Sequence, residues 1–198
     1  MTIEIMERLR NETAVYHKEI EQNKYAAAIM NQSLTLEDYR NYLEKFYGFV
    51  EPAETQAAAL LEAQQTGFDL GVRGKTALLE RDLLFLGASE QELEKLPRCS
   101  ELPDISTIPR LLGFFYVMEG STLGGQMITK LLKKNLPVSP ETGLEYFNAY
   151  GPDTKEQWAG FRQLLTEASA AHQADEQIVE AAKATFHLLG KWLELHTD

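Results

Sequence analysis

The sequence predicts an all-α fold, a single domain over residues 1–198. Three observations carry this: apolar residues recur at helical spacing nearly everywhere, no alternating runs flank hairpin turns, and Pro, Gly and capping residues separate the periodic stretches. With 198 residues, 44% of them hydrophobic, the chain is long enough for one sizeable core and is not disordered in composition.

Taken in order, a first helical region is expected from about Ile3 to Met30. A second begins near Thr35, where Thr35 and Asp38 have capping-box spacing with Asp in place of Glu, and continues to about Gln65. Gly67, Gly71 and Gly74 mark a connection before an amphipathic stretch from about Lys75 to Phe85. Ser89 and Glu92 open a short helix that stops before Pro97, and Pro97 to Ile105 reads as a loop. A long helix follows from about Thr107 to Lys134, with Pro109 in its first turn, where the missing N–H costs little. Pro137 and Pro140 end the next connection. Two final helices are expected over about Asp153 to Ala171 and Asp175 to His196.

Charge and composition exclude several functions. A net charge of −11 leaves no basic excess to displace counterions from nucleic acid. The longest apolar stretch, Leu111 to Met118, is far too short to span a membrane. The charged N-terminal stretch lacks the apolar run of a signal peptide. One cysteine, Cys99, cannot form an internal disulfide, so the expectation is a soluble cytoplasmic protein.

Two segments stand out. In the first, Arg10, Thr13, His17 and Glu21 fall within about 80° of one another on one side of a helix, beside an apolar stripe of Leu9, Tyr16 and Ile20. An imidazole there can reach a bound metal, with Glu21 one turn on to accept the other ring N–H. The same spacing also fits a half-buried histidine paired with a surface acid. In the second, Gly120, Gly124 and Gly125 lie inside the long helix, with Ser121 beside them. Three interior glycines cost about 3 kcal/mol relative to alanine, a penalty kept only where something approaches the backbone closely. Tight helix crossing and a flat ligand against a helix kinked at the glycines both satisfy that condition.

The remaining histidines narrow the metal chemistry. None of His17, His172, His187 and His196 follows an acid by three residues, so the pairs of carboxylate-bridged di-iron bundles are absent, as is any His-x-x-x-His. His172 and Glu176 repeat the His17 spacing across a helix junction, where solvation is expected. Cys99 lies in a Pro-flanked loop with little to mark it as a nucleophile.

LRNETAVYHKEIE and YVMEGSTLGGQ, in this order and at this separation, resemble the proximal and distal helices of the haem oxygenases, in their bacterial, biliverdin-producing form. The resemblance covers essentially the whole chain and implies a helical bundle with a kinked, glycine-rich distal helix. It makes His17 the axial ligand of haem iron, Glu21 its hydrogen-bonding partner, and Thr13 a neighbour on the haem side. Gly120, Ser121 and Gly124 would form the catalytic distal face, with Gly125 in the same strip. Arg10 and Arg162 would hold the haem propionates, and Phe186 would form part of the pocket wall.

Two departures matter. Ser121 stands where animal members carry a water-organising aspartate. Phe115 aligns with a propionate-contacting tyrosine, so Tyr116 or a nearby lysine would substitute.

The resemblance implies oxidative cleavage of haem, both substrate and cofactor, to biliverdin with release of CO and ferrous iron. O2 is consumed, and electrons come from an external ferredoxin, flavodoxin or NADPH-dependent reductase, since the chain has no flavin, nicotinamide or iron–sulfur signature. A phytochrome is one acceptor for the biliverdin. Two alternatives use the same scaffold: a haem-binding sensor without catalysis, and a thiaminase-like enzyme, which needs a pocket cysteine.

Overall fold

Asn23 decides how the chain begins to fold. The computed structural model describes residues 4–64 and 66–195. In it the first helical region is two helices, α1 (Ile5–Ile20) and α2 (Lys24–Met30). The Asn23 Oδ1 accepts from the N–H groups of Tyr25 and Ala26, both at 3.0 Å, while its Nδ2 donates to the Ile20 carbonyl at 2.6 Å. One amide thus caps the start of α2 and the end of α1, which is why the apolar period continues while the helix does not. Ile3 and His196 lie outside the described residues.

The capping box at Thr35 and Asp38 forms as its spacing requires and starts α3 (Leu36–Ala63). A short helix, α4 (Leu70–Arg73), occupies the glycine-punctuated connection, capped by Asp69 through the N–H of Val72 at 3.3 Å. Then come α5 (Thr76–Phe85) and α6 (Glu90–Lys95), the latter opened by the Ser89–Glu92 box. The long helix α7 (Ile108–Asn135) is continuous through its glycines, and α8 (Thr154–His172) and α9 (Asp175–Glu194) complete the order. No strand occurs among the described residues, only isolated bridges from Ser139 to Thr142 and to Gly143.

Helix α9 is the spine. It packs most extensively on α7 and then on α1, and it also touches α3. Leu111, Leu112, Phe114 and Phe115 of α7 are fully buried in one core with Ile178, Val179 and Ala182 of α9. Their close approach requires Gly113, where an added Cβ would collide with the Ile178 carbonyl oxygen and press on Ala181. Helix α1 lies on α9 through Ile5 and Leu9. It is stapled at its edge by Arg8 to Glu176 and Glu12 to Lys183, each at 2.9 Å. The end of α9 is fastened to α3 twice: Trp192 Nε1 donates to the Lys45 carbonyl at 2.7 Å, and Lys45 Nζ donates to the Leu195 carbonyl at 2.6 Å.

The segment 144–150 is irregular but held from below. Asp82, fully buried on α5, accepts from the N–H groups of Glu145 at 2.9 Å and Tyr146 at 2.8 Å. Tyr39 donates its hydroxyl to the Gly143 carbonyl at 2.6 Å. These bonds bring Tyr146 and Phe147 under the middle of α7.

Candidate functional site

Because α1 and α7 are both braced on α9, their facing sides stay apart, and a cavity of about 480 Å³ lies between them. That volume is within the range of small-molecule and cofactor sites. Arg10, Thr13, His17 and Glu21 all reach its wall from α1, as their angular clustering predicts. His17 stands over the ring of Phe186, edge to face with centroids 5.6 Å apart, and Phe186 lines the same cavity.

The His17 Nδ1 is 3.6 Å from the Glu21 carboxylate. That is longer than a hydrogen bond, but it places the acid on the Nδ1 side of the ring and leaves Nε2 as the nitrogen for a ligand. The His17 side chain is 57% exposed and lines the cavity. Thr13 is buried and donates its hydroxyl to the Leu9 carbonyl at 2.7 Å, with the same hydroxyl beside the Tyr116 phenol.

The opposite wall separates the glycines of α7 into two kinds. A Cβ at Gly124 would meet nothing within 4 Å, and one at Gly120 would only touch Trp158 at ordinary contact distance. Both glycines line the cavity and leave it open. Gly125 also borders it, but a Cβ there would strike the Phe147 carbonyl oxygen, so Gly125 is needed for packing of the 144–150 segment. The glycine strip therefore divides: Gly125 is required by close packing, against the 144–150 segment instead of a crossing helix, while Gly120 and Gly124 border open space. Ser121 lines the cavity as well, and its hydroxyl hydrogen is donated to the Met118 carbonyl at 2.7 Å, which leaves its oxygen free to accept.

Tyr116 lines the cavity from α7, and burial pushes its phenol upward in pKa, moderated by the nearby Thr13 hydroxyl and the charges of Arg10 and Arg162. Arg162 is on the exposed side of α8 and does not line the cavity; only its field reaches Tyr116. Phe115 is fully buried against Phe68 and Phe114, so it faces the core instead of any ligand. Cys99 is buried away from the cavity lining, with its thiol directed at the Glu101 carbonyl and its pKa raised by burial.

A charged cluster beneath the α7 wall is not legible as a sequence motif. Glu119, only 1% exposed, receives Arg73 Nη1 at 2.6 Å on one oxygen. The other oxygen receives Lys75 Nζ at 2.8 Å and the Tyr150 hydroxyl at 2.7 Å. The buried Glu54 accepts the backbone N–H of Lys75 at 2.6 Å and the Thr76 hydroxyl at 2.6 Å, fixing the start of α5. The one available signal was an acid inside an otherwise apolar helix, since a buried carboxylate must be paired.

Among the described residues no three His, Cys, Asp or Glu side chains cluster to hold a metal ion, and no helix is long and apolar enough to cross a membrane.

The fold and site define a class: all-helical proteins that enclose a cavity between a histidine-bearing helix and a glycine-bearing one. The chain belongs to the haem oxygenase family, whose model, described as "Heme oxygenase", matches residues 3–195. Among solved structures it is similar to the haem oxygenase of Leptospira interrogans, at 21% identity and a TM-score of 0.79, covering 96% of this chain and 98% of that one. Haem oxygenase-1 of Synechocystis sp. PCC6803, solved in complex with haem, aligns at 19% identity and 0.71, covering 96% and 91%. A domain of unknown function with a haem oxygenase-like fold from Shewanella denitrificans aligns at 12% identity and 0.73, covering 98% and 92%. No curated protein matches the chain.

Proposed function

We propose that the protein binds haem between α1 and α7 and cleaves it to biliverdin, with release of CO and ferrous iron. The observation that carries this reading is one cavity with the His17 imidazole on one wall and the bare backbone of Gly120 and Gly124 on the other. The residues fit a flat, mostly apolar ligand with a metal at its centre and anionic groups at its edge. Phe186, Ile128 and Val117 supply apolar contact, His17 supplies an imidazole, and Arg10 and Tyr116 supply a cation and a phenol.

Bound haem would supply both the oxygen-activating iron and the ring that is opened. The chain's own contribution is positional. His17 holds the ligand from α1, its ring limited in swing by Phe186 and with the Glu21 carboxylate on its Nδ1 side. Gly120 and Gly124 would leave room for O2 at the α7 wall, with Ser121 offering an acceptor oxygen. Arg10, with Arg162 adding its charge from α8, would favour the anionic propionate edge of the ligand.

Electrons come from an external ferredoxin, flavodoxin or NADPH-dependent reductase, as in a cytoplasmic enzyme, and a phytochrome is one destination for the biliverdin. The thiaminase-like alternative lacks its nucleophile, because Cys99 is outside the cavity lining.

The test mixes the protein with haemin and ascorbate or a reductase and follows absorbance. A Soret band that gives way to bilin absorbance is expected. A stable Soret band would mean haem binding without cleavage, and no Soret band would defeat the reading.

A further inference from the structure

Among the described residues, helix α8 gives the cavity lining a single side chain, the indole of Trp158. Its six-membered edge points at α7. A Cβ built at Gly120 would lie 3.8 Å from Trp158 Cη2 and 3.9 Å from Cζ3, whereas one at Gly124 would meet nothing within 4 Å. The glycine wall is therefore bounded by a ring at one end and open at the other, one helical turn further on.

The indole is braced. It stacks on the fully buried Phe161, with centroids 5.9 Å apart and 22° between planes, and Tyr116 of α7 tilts against it, also at 5.9 Å. The Arg73 guanidinium carbon is 5.3 Å from the Phe161 centroid. Arg73 Nη1 donates to the Glu119 carboxylate at 2.6 Å and to the Gln157 carbonyl at 3.5 Å. One arginine thus ties the residue before Gly120 to the residue before Trp158, and so fixes the spacing between the indole and the glycine wall. Swinging the ring aside would forfeit these aromatic contacts and leave a void.

We propose that Trp158 is a specificity-determining residue: a braced indole that stops the ligand at the Gly120 end of α7 and so selects which part of its rim meets the glycine wall. This rests on the haem reading and deepens it. Haem offers four similar bridge positions for ring opening, so a single product requires one fixed seat. Arg10 and Arg162 attract the anionic edge across several ångströms, which orients the ligand without limiting a small sideways shift. A packed ring acts at contact distance, and a seat displaced toward α8 overlaps it.

Trp158→Phe shortens this wall and Trp158→Leu removes its aromatic reach. Both keep an apolar side chain against Phe161, so the Soret band and melting temperature should stay close to those of the wild type. Wild-type protein should release one biliverdin regioisomer. In Trp158→Leu the share of a second should rise about tenfold or more, the order of discrimination that a filled apolar pocket imposes, with Trp158→Phe in between. Chromatography of the released bilins reads this. An unchanged isomer composition in Trp158→Leu would overturn the proposal, as would a mixture of regioisomers from the wild type. If the wild type binds haem without cleaving it, proton NMR of the ferric cyanide complexes decides: the haem methyl resonances should shift or double in Trp158→Leu, and coincident spectra would overturn the proposal. No haem uptake by the wild type would defeat the haem reading itself, and this proposal with it.

Discussion

The imidazole of His17 and the ring of Phe186 meet edge to face, at 75° between planes, and so link the first helix to the last across the mouth of the cavity. Aromatic pairs of this geometry add about 0.5–1.5 kcal/mol beyond their buried area. The contact therefore limits how far the imidazole can swing. Since His17 is the one histidine lining the cavity among the described residues, His17→Ala should remove the histidine-type Soret spectrum of added haem. Phe186→Ala should keep the spectrum with weaker haem affinity. An unchanged spectrum in His17→Ala refutes the ligand assignment.

The two neighbouring glycines of α7 should respond in opposite directions. Gly124→Ala adds a methyl group where nothing lies within 4 Å, so helix propensity should stabilise the protein by up to about 1 kcal/mol. Gly125→Ala forces the Phe147 carbonyl aside and should destabilise it by about 1–3 kcal/mol. Denaturant titration measures both. Gly124→Leu, which fills the cavity, should impair turnover more than haem affinity.

Glu119 is clamped by two cations, and removing its charge breaks both ion pairs, leaving the buried Lys75 to the more distant Glu54 charge. Glu119→Gln should cost about 3 kcal/mol, which for a chain of this size is a fall in melting temperature of about 6–12 °C. The exposed Arg81–Glu145 pair provides the contrast: Glu145→Gln should cost under about 1 kcal/mol. Equal effects in the two variants would show that burial of the cluster does not matter energetically.

Asp82 gives a pH signature. Burial raises its pKa to about 6 from 3.8, against the opposing pull of the Tyr146 and Glu145 N–H groups. The folded state therefore binds more protons than the unfolded chain between those values, and Asp82 withdraws stability as pH rises from 3.8 to 6. Asp82→Asn removes this dependence. The stability difference, wild type minus variant, should fall by about 2–3 kcal/mol across that window, and equilibrium unfolding at several pH values measures it. A flat difference curve would rule out the raised pKa.

Helical periodicity and capping chemistry made most of the helix boundaries legible. Thr35, Ser89 and Thr107 are side-chain caps whose partners lie three residues away, so local sequence was sufficient. The break at Asn23 was not legible, because apolar spacing continues across it and one amide's choice of backbone partners overrides the period. The α1 side of the site was readable because Arg10, Thr13, His17 and Glu21 share one helix face. Tyr42, Lys75 and Tyr146 were not, since they come from three separate elements with no shared spacing.

What the sequence alone determined is the helical class, the candidate imidazole on the α1 face and the run of glycines inside α7, since each follows from spacing along a helix. Only the tertiary structure decided which glycine faces a cavity and which faces a carbonyl, and which buried carboxylate meets two cations. Those outcomes depend on how α7 and α5 lie against segments distant in the chain, and packing geometry of that kind has no local code.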